Sequence, residues 1–300
     1  MDLLQLQYFL ALANLQHVTK TAEMLHISQP ALSLTIKKLE TQLDVPLFIR
    51  KGRSIALSPY GEAFKVYAEE AILSLENGKQ VLSRMKGESS GALNLGLLSP
   101  YIWNDLFTFF NESHPNITIN RRSIEDHRFL ESLLNGEIDF YLGGLNLLDQ
   151  SDNARLQHVT LYEDDMVLLV RKDHPFAGRS SIDLRECRNE AFVNLSAETN
   201  LQQFNNRMFR QAGFDPKVVL TCDYTLRDRM VSEGHGVSVT TLRGALKSEA
   251  PDVVPIPLSY PAEKRKLGLV WRKGRVFSEP MEQFLQLARQ YYTHHDAAAH

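Results

Sequence analysis

Leu6, Phe9, Leu10 and Ala13 recur at helical spacing, which predicts a first helix over residues 3–14. Thr19 is the expected N-cap of a short second helix through residue 25, with Ala22 and Leu25 turned inward. His26 and Ile27 turn the chain, and Ser28 then caps a third helix running to about residue 43. Pro30 sits near the first turn of that helix, where a missing N–H costs nothing. Leu32, Ile36 and Leu39 share one face of it, with Thr35 beside them; Pro30, Ser33, Leu34, Lys37 and Lys38 occupy the opposite arc. Residues 43–48 lead into a short strand and residues 55–57 return, with the basic turn Arg50-Lys51-Gly52-Arg53 between them. Two short helices, a tight turn and a basic hairpin make a winged helix-turn-helix.

Pro59 opens a longer helix to about residue 86, along which Phe64, Ala68, Ala71, Leu75, Gly78, Leu82 and Met85 alternate by four and three. Sustained over three heptads, this is a two-stranded coiled-coil pattern, the alternative being a helix packed on its own domain. The polar, Gly/Ser-rich stretch 87–91 reads as a hinge. Beyond it, strands expected at 93–97, 117–122, 138–142, 161–170, 192–195, 218–222, 236–240 and 267–271 alternate with helices at 101–113, 127–135, 201–213, 226–233 and 280–292. Such alternation predicts an α/β domain with mostly parallel sheets, long enough for two small lobes. The resulting organisation is a DNA-binding head at 1–58, a linker (dimerisation) helix at 59–86, a hinge at 87–91, a two-lobed domain at 92–293 and a frayed tail at 294–300. One lobe takes residues 92–161 and 267–293, the other 162–266.

Taken alone, the overall charge argues against a nucleic-acid partner: the 300 residues are 43% hydrophobic and 23% charged, with a net charge of −3. Split at residue 58, the charge is uneven. The head holds six basic and four acidic side chains, a net +2, and the remainder 27 and 32, a net −5. What matters is where the basic groups sit. No apolar run approaches the roughly 18 residues of a membrane span, and the first residues do not read as a signal peptide, so a cytoplasmic location away from membranes is expected. Cys187 and Cys222 are too few for a disulfide framework or a cysteine metal site, and no cofactor is expected.

On the third helix, Gln29 at the leading edge has the geometry for bidentate contact with adenine, and Ser33 for several base edges. Lys37 and Lys38 lie further along, within reach of phosphates, and Arg50 and Arg53 on the wing suit phosphates or a narrow A·T minor groove. At this point the chain resembles a known family. The run Thr19-Lys20-Thr21-Ala22-Glu23-Met24-Leu25-His26-Ile27-Ser28-Gln29-Pro30-Ala31-Leu32-Ser33 is similar to the LysR-type transcriptional regulators. So are Phe9-Leu10-Ala11-Leu12-Ala13, Ile36-Lys37-Lys38-Leu39-Glu40, Val45-Pro46-Leu47-Phe48-Ile49-Arg50 and Leu57-Ser58-Pro59-Tyr60-Gly61. The resemblance spans head, linker helix, hinge and the following domain. It implies a sequence-specific regulator whose partners are promoter half-sites on double-stranded DNA, further copies of itself as a dimer or tetramer, and RNA polymerase as a candidate. Carried over residue by residue, DNA contacts fall on Thr19, Ser28, Gln29, Pro30, Ser33, Lys37, Arg50 and Arg53. Leu34-Thr35 depart from the polar or basic pair common after the second serine, and Ile49 from an acidic residue, leaving base preference open there.

The resemblance also implies a C-terminal half similar to periplasmic binding proteins, with a small-molecule effector held between two lobes. Strand-end geometry suggests independently where it sits, since α/β ligands lie at the carboxyl ends of strands, near helix N-termini. Those places are Ser99, Pro100 and Tyr101; Gly143 and Gly144; Ser196, Thr199 and Asn200; and Tyr224. Two helix N-termini on one cleft favour an anionic, carboxylate-bearing effector. Ser99 and Thr199 lead this set, with simple helix capping as the alternative for each. Arg122, His127 and Arg128 lie near the cleft mouth and have Glu125 and Asp126 as nearby pairing partners. A solute-binding protein is the competing reading, disfavoured by the head and the missing signal. An enzyme is excluded because no G-x-S-x-G, H-E-x-x-H or P-loop accompanies the histidines.

Overall fold

The computed structural model describes residues 1–51, 54–86, 91–97, 99, 101–124, 128–148 and 154–296. Arg53, Pro100, His127 and all of the expected hinge except Gly91 fall outside them. Two compact units result, one of residues 1–88 with 274–276, the other of residues 89–273 with 277–300.

The first unit opens with α1 (Leu3–Leu15), started by a capping box in which Asp2 and Gln5 exchange side-chain and backbone hydrogen bonds. α2 (Val18–Met24) and α3 (Gln29–Leu43) follow, then the antiparallel wing β1 (Phe48–Lys51) and β2 (Ser54–Leu57), then α4 (Pro59–Met85). The cap of α2 is His17, whose Nδ1 accepts from the Lys20 amide; Thr19 is already helical and exposed, so the capping role expected of it is corrected. His26 turns the chain between α2 and α3 at φ 54°. Phe9 is fully buried and touches both Phe48 of the wing and Phe64 of α4, with ring centroids 5.6 and 5.2 Å away. One ring therefore ties the helical head to wing and linker helix. Only the first part of the heptad pattern is used here. Ala68 and Ile72 are buried against the head, whereas Ala71, Leu75, Gly78, Leu82 and Met85 are exposed.

The second unit runs β3 (Ala92–Leu97), a 3₁₀ turn (Tyr101–Trp103), α5 (Asn104–Ser113), β4 (Thr118–Ser123), α6 (Phe129–Leu134), β5 (Phe140–Gly144) and the long β6 (Leu156–Arg171). Next come β7 (Ile182–Asp183), β8 (Ala191–Leu195), α7 (Asn200–Gln211), β9 (Lys217–Cys222), α8 (Tyr224–Ser232), β10 (Ser238–Thr241), α9 (Leu242–Leu246), β11 (Val253–Tyr260), β12 (Lys264–Arg272) and α10 (Glu279–Asp296). Eight strands form one mixed sheet in the order β4-β3-β5-β12-β6-β11-β7, with β10 also on β6. The expected mostly parallel sheet is corrected here. β3 pairs in parallel with β4 and β5, but β6 is antiparallel to β10, β11 and β12. The reason is topological: β6 carries the chain outward from one lobe to the other, so the strands that return it must run against β6.

Two of the buried clusters of the second unit fall one on each lobe. One is built on Trp103, Phe110, Phe140, Leu269 and Phe284, the other on Leu168, Phe192, Met208 and Val239. β11 was not foreseen, because Pro255 and Pro257 interrupt its pattern. Its pairing with β7 is confined to Leu258 and Tyr260, so the two prolines face no partner on that edge.

Candidate nucleic-acid interface and effector cavity

α3 separates two chemistries around one helix. Leu32, Ile36 and Leu39 are buried, while Gln29, Pro30, Ser33, Leu34, Lys37 and Lys38 are exposed on the other side. Ser28 caps the helix, its Oγ accepting from the Ala31 amide at 3.3 Å, so Gln29 opens the helix with its side chain free for a base edge. Thr19, Ser28 and Arg50 are also exposed; Arg53 lies outside the described residues. Thr35 turns inward on its own backbone, donating to the Ala31 carbonyl at 2.9 Å. Leu34 is 55% exposed and Ile49 47%, so neither departure from the family pattern serves the core.

Sequence reasoning missed the residues that aim the wing. Glu40 Oε1 accepts from the amides of Leu47 and Phe48 at 2.7 and 3.1 Å. Ser58 closes the same corner: its amide donates to the Leu47 carbonyl, its Oγ donates to the Pro46 carbonyl, and the Gly61 amide donates to its Oγ. Gly61 allows this approach, since a Cβ there would lie 2.1 Å from the Leu47 oxygen. A carboxylate eight residues before the first wing strand was the available signal.

In the second unit a 480 Å³ cavity opens where the lobes meet, lined by Ser99, Tyr101 and Ile102 from one and by Leu201, Tyr224, Arg227 and Thr241 from the other, with Arg265 of β12. Of the residues expected at the effector site, Ser99, Tyr101 and Tyr224 line it. Gly143, Gly144, Ser196, Thr199 and Asn200 do not, and Pro100 lies outside the described residues. Gly143 and Gly144 belong to β5 itself rather than to a loop after it. Thr199 caps α7, accepting from the Gln202 amide at 3.3 Å, while its hydroxyl donates to the Ser196 carbonyl. Ser99 does not cap α5, because the 3₁₀ turn intervenes and α5 starts only at Asn104 with Trp103 at its N-cap position. Nor is the α8 N-terminus open to an anion: Asp223 Oδ1 already accepts from the Thr225 and Leu226 amides at 2.8 and 3.0 Å. Arg122 and Arg128 are exposed, with Arg122 on β4.

Four cations line the cavity, Arg227, Arg229, Lys247 and Arg265, and two of them, Arg227 and Arg265, lie deepest although the sequence reading did not single them out. Both are buried. Asn200 is buried as well and bridges the lobes: its Nδ2 donates to the Gly144 carbonyl at 2.9 Å, and its Oδ1 accepts from Arg265 Nη2 at 2.7 Å. Gly144 must be a glycine, since a Cβ would stand 2.2 Å from Asn200 Oδ1 and 2.6 Å from Arg265 Nη2.

Residues 3–62 match the bacterial regulatory helix-turn-helix protein, lysR family, and residues 86–293 the LysR substrate binding domain. The chain belongs to the LysR family. It is thus a DNA-binding transcriptional regulator with an effector-binding domain, and not an enzyme. The LysR-type chain is 32% identical to the uncharacterized HTH-type transcriptional regulator YybE of Bacillus subtilis over 294 residues, covering 96% of this chain and 98% of YybE. It is 28% identical to the transcriptional dual regulator GltC of the same organism over 297 residues, covering 98% of each. Among solved structures it is similar in fold to full-length OxyR from Pseudomonas aeruginosa, with TM-score 0.70, 24% identity and coverage of 96% and 95%. No helix among the described residues of this LysR-type regulator is long and apolar enough to cross a membrane.

Proposed function

We propose that this regulator binds promoter half-sites as a self-paired assembly in the cytoplasm and changes its DNA arrangement when a small anionic effector occupies the inter-lobe cavity. Gln29 and Ser33 read base edges, while Thr19, Ser28, Lys37, Arg50 and Arg53 hold phosphates or the minor groove. The exposed stripe Tyr67, Ala71, Leu75, Leu82 and Met85 of α4 supports pairing of two heads, and lobe contacts would build the tetramer. A head of net +2 binds DNA weakly alone, so pairing supplies affinity. RNA polymerase is the partner through which bound protein would alter transcription.

The observation that carries the effector reading is the 480 Å³ cavity at the junction of the lobes, with two buried arginines in its wall. An effector shifts the assembly only by binding one arrangement better than the other. Selection of bound fragments from the source genome identifies promoters, and a reporter on one of them scores candidate effectors. Thr225 lines the cavity and is exposed, so Thr225→Trp fills the cavity without disturbing the core. The variant is expected to bind the promoter normally and lose the effector response. An undiminished response would place the effector elsewhere.

A further inference from the structure

Viewed down the axis of α3, Leu34 lies opposite the buried stripe of Leu32, Ile36 and Leu39, at the middle of the exposed arc that also carries Pro30, Lys37 and Thr41. Its side chain is 55% exposed and takes no part in the core of the head. Folding therefore does not call for a leucine here. The nearby threonine hydroxyls are turned onto the helix itself: Thr35 Oγ1 donates to the Ala31 carbonyl at 2.9 Å, and Thr41 Oγ1 to the Lys37 carbonyl at 2.8 Å. Leu34 shares a shallow hollow with Lys37, Lys38, Thr41 and Gln42. An apolar side chain thus stands at the centre of a basic surface continuous with Gln29 and Ser33. A surface flanked by lysines suits a polyanion and not an apolar protein partner.

The major-groove edges of the base pairs display hydrogen-bond donors and acceptors and one apolar group, the C5 methyl of thymine. Leucine set against the cytosine amino group or the guanine O6 takes that group out of water with no hydrogen bond in return, which costs free energy. Set against the thymine methyl, it buries apolar surface on both sides. We infer that Leu34 is a specificity-determining residue that reads the C5 methyl of one thymine in each half-site. The inference rests on the reading above that α3 lies in the major groove. It adds to the operator a base chosen by apolar contact, beside those that Gln29 and Ser33 choose by hydrogen bonds. Because the methyl is the group recognised, 5-methylcytosine at that position is read in part as thymine, and deoxyuridine is not.

The test titrates the full-length protein by fluorescence anisotropy with a duplex obtained by selection from a random-sequence library. Each thymine of one half-site is replaced in turn by deoxyuridine, which removes the methyl and nothing else. At one thymine, wild type is expected to lose about fourfold in affinity, equivalent to the ~0.8 kcal/mol of one buried apolar carbon. Leu34→Ala, with a shorter side chain, should lose most of that dependence on the methyl. Leu34→Met, apolar and of similar reach, should keep it, and so should Gln29→Ala. Leu34 is exposed, so the circular dichroism spectrum of its variants should match that of wild type. The proposal is overturned if no thymine of the half-site responds to loss of its methyl, or if the response is as large in Leu34→Ala as in wild type. In either case Gln29→Ala shows how far the failure reaches. A changed base preference in that variant would keep α3 in the groove and remove Leu34 alone; unchanged preference in both variants would remove α3 from the groove.

Discussion

Glu40 on the recognition helix holds the amide of Leu47, the residue before the wing, at 2.7 Å, and the same oxygen takes the Phe48 amide at 3.1 Å. Helix and wing are thus one rigid reading head. Glu40→Ala leaves two partly buried amides without an acceptor, so unfolding stability of the head should drop by about 1–3 kcal/mol. Its effect on DNA affinity should overlap with that of Arg50→Ala, because both act through the wing. A double-mutant cycle by fluorescence anisotropy checks this, and strict additivity of the two losses would show that Glu40 does not aim the wing.

Lys37 and Gln29 share the exposed face of α3, and the proposed contacts assign them different terms. Lys37→Ala should weaken binding to all sequences alike and reduce the slope of log affinity against log salt by roughly one. Gln29→Ala should keep the slope and relax preference at one base pair, at a cost of about 1–3 kcal/mol for the preferred site. Salt titrations on cognate and scrambled operators separate the two.

The exposed apolar stripe of α4 predicts an oligomer defect with an intact fold. Leu75 and Leu82 are 51% and 60% exposed, so Leu75→Glu with Leu82→Glu should leave the circular dichroism spectrum unchanged while sedimentation reports smaller species. Gly78 gives a finer test, since a Cβ there meets nothing within 4 Å in a single chain. Gly78→Ala should stabilise a helix free on that side by roughly 0.5–1 kcal/mol, whereas a partner helix packed closely on it would turn the change destabilising.

Gly144→Ala should damage the junction between lobes and displace Arg265, which also lines the cavity. The added methyl meets Asn200 and Arg265 at distances no real Cβ tolerates, and overpacking of this kind costs about 1–3 kcal/mol. Calorimetry should show the loss in the C-terminal domain, with affinity of the head for DNA preserved.

Burial pushes the Cys187 thiol up to about 12, and raises that of Cys222 as well. Because the thiolate is the reactive form, both groups stay protonated at pH 7 to 8. A disulfide reagent at pH 8 should label neither quickly in the native protein and both after denaturation. Rapid native labelling would contradict the buried, protonated state of Cys187 or the protonated state of the half-buried Cys222.

Much of this protein was legible along the chain. The helical spacing of Leu6, Phe9, Leu10 and Ala13, the Ser28 cap, the two-faced α3 and the basic wing are local features, and local sterics and burial suffice to produce them. The −3 total concealed them only by averaging a +2 head with a −5 body. What the sequence alone could not decide was which side chains meet. Thr199 has the composition of a ligand contact and is a helix cap; Asp223 occupies the helix end that was expected to await an anion. Arg265 and Arg227 look like ordinary surface charges in their segments, and they become a buried pair because β6 and β12 run antiparallel through both lobes and α8 packs beside them. Secondary structure follows from neighbours in sequence, whereas this cavity is assembled from residues up to 166 positions apart, between Ser99 and Arg265, and pairing at that range is settled only by the tertiary fold.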